Sequence, residues 1–205
     1  MCRKDPLPAA SAQTTRTAEG SGSLYRSGSA FEARAVLGAT SDPESTKCFG
    51  LPAAIGTCFA NGMKETYCIE GDGSVQMNIQ DLATVSRHNL PIKIFILSND
   101  GYHSIRQTQN KYFPDNTVGC GPESGLQFPD FKLIASAYGL KYKKISSSNR
   151  LPDVIKETLK EEGPIVCEIV LDKNQEFEPK ASSKLYPDGR MKSAPLYDLY
   201  PFLDS

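Results

Sequence analysis

The chain has 205 residues, 23 of them basic and 24 acidic, for a formal net charge of −1. That balance creates no field that would draw it to nucleic acid or to an anionic membrane, so any ligand must be argued from a site. The length suits one domain with extended ends; no apolar run approaches the roughly 18 residues of a membrane span, and MCRKDPLPAASAQTT lacks the apolar centre of a signal peptide.

The cytoplasm is the expected compartment. The six cysteines (Cys2, Cys48, Cys58, Cys68, Cys120 and Cys167) form no CxxC pair and have no histidine at metal-ligand spacing. They are expected to be reduced and mostly buried.

Residues 1–46 are rich in Ser, Thr, Ala and Gly and poor in large apolar side chains, a composition that cannot offset the entropy of ordering. Little fixed structure is expected there. From Phe49 the texture changes. GLPAAIGTCFANG offers Pro52 near a helix start and Asn61-Gly62 as a stop. Thr66 to Glu70 reads as a buried strand that enters, through Gly71-Asp72-Gly73-Ser74, a helix over Asn78 to Arg87. Pro91 opens a second strand, IKIFIL, which ends in Ser98-Asn99-Asp100-Gly101.

Pro129 marks a further helix, with Phe131, Ile134, Ala135 and Tyr138 on one side and Gly139 as its stop. Lys141 to Ile145 follows as a strand, Pro152 opens another helix, and IVCEIV (residues 165–170) is the last strand. Alternating strands and helices predict an α/β domain over 47–172, built on an open parallel sheet with helices on both faces. Residues 173–205, polar and proline-punctuated, read as a tail packed on the surface.

In that arrangement the GDGS and SNDG segments end successive strands of one βαβ unit, on the sheet edge where open α/β folds bind ligands. Asp72, the Asn99 side-chain oxygen and the Gly101 carbonyl are hard oxygen donors of the type magnesium accepts when phosphate and water complete its octahedron. The glycines around Asp72 would let a phosphate approach the backbone, with the following helix directing its N–H groups at the anion. Either motif alone is an ordinary turn. Their placement after consecutive strands, with 25 residues between Gly73 and Asn99, is what suggests a metal-bridged diphosphate site.

These residues resemble the thiamine-diphosphate-dependent enzymes, whose signature begins GDG and ends, one helix and one strand later, in a pair of asparagines. Here GDG stands at 71–73 and Ser98-Asn99 at the end, followed by Asp100-Gly101-Tyr102. The resemblance implies Asp72, Asn99 and the Gly101 carbonyl as magnesium ligands, with Gly71, Gly73, Ser74 and Tyr102 also lining the cofactor. Ser98 replaces the first asparagine, which is not a ligand. Similarity extends over 49–62, 71–109, 124–140 and 162–172, most like the C-terminal domain of acetolactate synthase large subunits, and stops upstream of Phe49.

Family members carry a bulky apolar residue and a glycine where this chain has Lys47 and Cys48. The implied cofactors are thiamine diphosphate and Mg²⁺; the implied substrate is a 2-oxo acid such as pyruvate. The implied partners are a pyrimidine-binding domain, from a partner subunit or another portion of chain, and further copies in a homo-oligomer. The chain then reads either as a part of such an enzyme or as a non-catalytic interaction module that keeps the fold. A magnesium-dependent nucleotide or phosphate-ester binder is a third alternative.

Other candidates have plainer readings. His103 could shuttle a proton but more often would be merely hydrogen-bonded, and His88 reads as a helix-end residue. Gly119 to Gly125 reads as a connector, and Arg106 as a solvated surface arginine.

Overall fold

Parallel strands with apolar side chains on both faces can be satisfied only if helices cover both sides of the sheet. Residues 34–37, 49–175, 183–185 and 190–193 are described by the computed structural model. Five strands form one sheet: β1 (Arg34–Leu37), β2 (Thr66–Gly71), β3 (Ile92–Ser98), β4 (Lys141–Ile145) and β5 (Ile165–Val170). Their order is β1-β2-β3-β5-β4, and every neighbouring pair is parallel. The helices are α1 (Gly50–Ala60), α2 (Asp72–Val75), α3 (Leu82–Arg87), α4 (His103–Tyr112), α5 (Phe131–Ala137) and α6 (Leu151–Lys160). The predicted α/β architecture is present.

Strand alternation divides the core in two. Cys68, Ile92, Ile94, Ile96 and Val166 meet Leu51, Ala54 and Cys58 of α1, Leu82 and Val85 of α3, and Phe131 and Ala135 of α5. Phe95, Cys167 and Ile145 face the other way, onto Val154, Leu151 and Ile155 of α6. Residues one position apart on β3 therefore serve opposite layers, as the two-residue period of a strand requires. Lys93, in the same apolar run, is fully buried at the start of β3. Its ammonium donates to the carbonyls of Glu161 and Gly163, which accounts for a charge inside the core.

Several sequence expectations change at the level of local chemistry. The helix marked by Pro129 begins at Phe131, because the Asp130 carboxylate caps it by accepting the N–H groups of Lys132 and Leu133 at 2.7 and 3.3 Å. Gly139 does close it, with a left-handed φ of 68°. The helix expected over Asn78–Arg87 is a 3₁₀ segment, Gln76–Asp81, running into the shorter α3, with non-helical angles at Asn78. α4 was not foreseen at all.

At the chain's ends, β1 lies within the segment expected to lack fixed structure, and its four residues pair with Thr66 to Ile69. The predicted boundary at residue 47 therefore falls inside the sheet-forming region. Ser183–Leu185 and Met191–Ser193 form an antiparallel hairpin, β6–β7, within the stretch read as a tail. Lys47, Cys48 and Cys2 lie outside the described residues; Cys58, Cys68, Cys120 and Cys167 are free thiols and buried, as expected. Among the described residues no helix is long and apolar enough to cross a membrane.

The β1 pairing makes a direct prediction. Amides of residues 34–37 that bond to β2 should exchange with solvent markedly more slowly than free peptide, by hydrogen exchange resolved to single residues. Exchange at the random-coil rate would restore the sequence expectation.

Candidate functional site

β2 and β3 run side by side, with Gly71 opposite Leu97, so the residues that follow each strand emerge together at the carboxyl edge of the sheet. Asp72 is the first residue beyond β2 and is only 2% exposed. Its Oδ2 accepts three consecutive backbone N–H groups from the turn after β3, those of Asn99, Asp100 and Gly101, at 3.0, 2.8 and 3.3 Å. Its Oδ1 accepts the Gly73 N–H at 2.8 Å. Successive N–H groups turned toward one point form an anion-binding nest. Here the nest holds the protein's own carboxylate.

The turn reaches this shape through unusual backbone. Asp100 has φ 65° and Gly101 φ 152°, both on the side of the map that most L-residues avoid. A side chain at Gly101 would also strike the Cys120 carbonyl oxygen, 2.1 Å from an ideal Cβ, and the Arg106 guanidinium, 2.4 Å away. Glycine is thus required at 101 by both torsion and space.

Burial pushes the Asp72 carboxyl above its ordinary range, while the N–H groups of Gly73, Asn99, Gly101 and Asp100 oppose the rise by stabilising the anion. Glu70, two residues earlier and also buried, is raised by the same desolvation. Its Oε1 accepts the Leu51 N–H at 3.1 Å, so this carboxylate ties the start of α1 to the end of β2. The sequence reading missed Glu70; the signal was an acidic residue ending the otherwise strand-like Thr66–Ile69 run.

The Asn99 side-chain oxygen is buried and has no hydrogen-bond partner among the described residues. An unsatisfied buried acceptor is costly unless something positive occupies the space beside it. Asp72 Oδ1, with only one N–H donor, also has acceptor capacity left, since an ionised carboxylate offers about four lone-pair sites. This donor set, one carboxylate and one amide oxygen from adjacent strand ends, fits a magnesium ion that takes the rest of its shell from phosphate and water. Among the described residues no group of three or more His, Cys, Asp or Glu side chains could hold a metal. A site rich in protein charge is therefore not the pattern here.

The flanks depart from the sequence reading. Gly71 has open space where a side chain would project, but Gly73 does not: an added Cβ would lie 2.4 Å from the Tyr102 ring. Tyr102 in turn packs edge to face with Phe128, centroids 5.7 Å apart. Gly73 is thus small to admit Tyr102. α2 spans only Asp72–Val75 and leads into the 3₁₀ segment Gln76–Asp81, and its Gly73 N–H is given to the Asp72 carboxylate.

The remaining candidates also find their places. Ser74 is half-buried in α2, and His103 is buried in the first turn of α4. His88 ends α3 against the Phe59 ring. Arg106, expected in solvent, is 5% exposed and points into the turn.

An open parallel sheet with an aspartate and an Asn-Asp-Gly turn locked together at adjacent strand ends belongs to the class of α/β domains that hold a ligand on the carboxyl edge of the sheet. Comparison with known proteins narrows the class. Residues 32–169 match the family described as "Thiamine pyrophosphate enzyme, C-terminal TPP binding domain", and the chain belongs to that family. The match begins upstream of Phe49, where the sequence resemblance was expected to stop, and it takes in β1.

Among relatives, the acetolactate synthase isozyme 2 large subunit of Escherichia coli is 34% identical over 161 residues, 78% of this chain and 28% of that protein. The acetolactate synthase large subunit of Cyanidium caldarium is 33% identical over 134 residues, 65% of this chain and 23% of that protein. The chain thus spans about a quarter of the length of these relatives. Among solved structures, a thiamine diphosphate-dependent 4-hydroxybenzoylformate decarboxylase from Rhodococcus jostii RHA1 aligns with TM-score 0.53 and 26% identity. That alignment covers 60% of this chain and 23% of the other.

Gly101→Ala should lower stability by about 1–3 kcal/mol, since it combines a forbidden φ with a backbone clash. Urea unfolding followed by circular dichroism measures the loss. An unchanged midpoint would mean that the turn is not held as described.

Proposed function

We propose that this chain supplies the magnesium and diphosphate end of a thiamine diphosphate site in an acetolactate-synthase-like enzyme acting on 2-oxo acids. The observation that carries the reading is the buried Asn99 side-chain oxygen, unpartnered among the described residues, on a residue whose backbone N–H donates to Asp72. In this reading Asp72, Asn99 and the Gly101 carbonyl hold Mg²⁺, while Gly71, Gly73, Ser74 and Tyr102 line the diphosphate end. When bound, thiamine diphosphate supplies the electron sink that decarboxylation of a 2-oxo acid needs. The protein's own part is to fix the cofactor by its charged end. Asp72 is oriented through four N–H donors, which favour its anionic form against the cost of burial, and Asn99 offers an oxygen without a proton to displace.

The relatives are about four times as long as the matched region, which supports a division of labour. A pyrimidine-binding domain, from a partner subunit or another portion of chain, would complete the site across a homo-oligomer interface. The alternative of a non-catalytic module that keeps the fold predicts the same architecture without magnesium-dependent cofactor binding.

Titration calorimetry separates the two. Thiamine diphosphate should bind the chain in the presence of Mg²⁺ and lose its heat signal when EDTA is added. Asp72→Asn and Asn99→Ala should each weaken binding about 10-fold or more. Binding that ignores both Mg²⁺ and these substitutions would defeat the proposal, and tighter binding of a nucleotide than of thiamine diphosphate would favour a phosphate-ester ligand.

Catalysis gives a second expectation. Without acid–base assistance at the far end of the cofactor, worth about 10²–10⁴-fold, the chain alone should consume pyruvate only at background rate. Adding a separately expressed pyrimidine-binding domain from a related enzyme should raise the rate. Robust turnover by the chain alone, abolished by Asp72→Ala, would require an activating acid within these residues.

A further inference from the structure

The turn that bears Asn99 is gripped from two sides. Asp72 takes its N–H groups, and Arg106, in the first turn of α4, takes its carbonyls. The Arg106 Nη1 donates to Asn99 O at 3.1 Å, and Nη2 to Asp100 O at 2.7 Å. The same two nitrogens also reach Lys173 O at 3.2 Å and Cys120 O at 3.3 Å. One buried guanidinium therefore joins four carbonyls from three separate stretches of chain. Its Nε makes no hydrogen bond among the described residues, and Glu123 lies 4.0 Å from it as the nearby counter-charge.

We propose that Arg106 is the positioning residue of the metal loop, fixing the 99–101 turn so that the Asn99 oxygen faces the cation site. The proposal rests on the magnesium reading above but assigns a role to a residue outside the ligand set. Two physical arguments support it. First, a peptide whose C=O is polarised by a cation is a better N–H donor, so Arg106 on one side and Asp72 on the other strengthen each other through the turn. Second, the contact depends on shape. A guanidinium is a planar fork with five N–H donors, able to meet acceptors that diverge around its rim, whereas an ammonium offers three donors from one point. The space is also fitted to it: an added Cβ at Gly101 or Gly121 would lie 2.4 or 2.8 Å from Nη2.

The test uses the full chain and the variant Arg106→Lys, which keeps the charge. Thiamine diphosphate binding in saturating Mg²⁺ should weaken about 10–100-fold, the usual cost of disturbing groups that orient metal ligands. Amide exchange should quicken at Asn99, Asp100 and Gly101 while strands β2 and β5 keep their protection, a pattern that general destabilisation would not give. Binding within about twofold of wild type, or unchanged exchange at these three amides, would overturn the proposal.

Should Arg106→Lys fail to fold, the wild-type protein still decides the matter. Its Arg106 guanidinium protons should be slow to exchange by NMR, and fast exchange would refute the clamp. Asp72→Asn runs alongside as a control for the magnesium reading. If the wild type binds no thiamine diphosphate with Mg²⁺, that reading fails, while the exchange comparison continues to test Arg106 by itself.

Discussion

The Asp72 carboxylate is buried just beyond the ends of two parallel strands and must still find donors for its oxygens. Parallel pairing alone does not provide them, because the ladder of β2 and β3 ends at Gly71 and Leu97. The turn beyond β3 provides them, by folding back with φ values of 65° and 152° so that three N–H groups reach one oxygen. A strained turn persists only where its surroundings over-determine it. Here the surroundings are a negative charge on one side and a buried guanidinium on the other. The turn's geometry thus rests on contacts made within the chain itself.

Small residues around the turn follow from this arrangement. Gly101 and Gly121 leave room for the guanidinium, and Gly73 leaves room for the Tyr102 ring. Ser124 completes the picture from the neighbouring loop: its hydroxyl accepts the Cys120 and Gly121 N–H groups at 2.9 Å each, which holds the Cys120 carbonyl where Arg106 and the Tyr102 N–H can use it. A stretch that reads as a glycine-rich connector is therefore part of the frame that fixes the turn.

How legible the molecule was in its sequence depended on what the buried residues were. Ile92, Ile94, Ile96 and Val166 announce their strands by continuous β-branched runs, and the α6 face of Val154 and Ile155 declares itself by helical spacing. The carboxyl edge of the sheet followed, and with it the joining of Asp72 to the Asn99 turn. α4 was invisible because its buried residues are His103 and Arg106, so no apolar stripe marks its inner face. Arg106 was misread for the same reason: its environment is made of backbone carbonyls, which leave no trace in side-chain patterning. β1 is four residues in a polar setting, too short for a periodic signal. The aromatic ring beside Gly73 is a contact that only the fold brings about.

The hydrogen bond from Arg106 to the Lys173 carbonyl spans 67 residues and has a temporal meaning. A chain emerging from the ribosome delivers β2, the Asn99 turn and α4 well before β5, which inserts between β3 and β4, and Lys173 comes later still. Domains form as units once their last essential segment is available. Until then the guanidinium lacks one of its four acceptors, and β3 lacks the neighbour that flanks it on one side. On the magnesium reading proposed above, the turn that bears Asn99 is therefore completed only once Lys173, made 67 residues after Arg106, is in place.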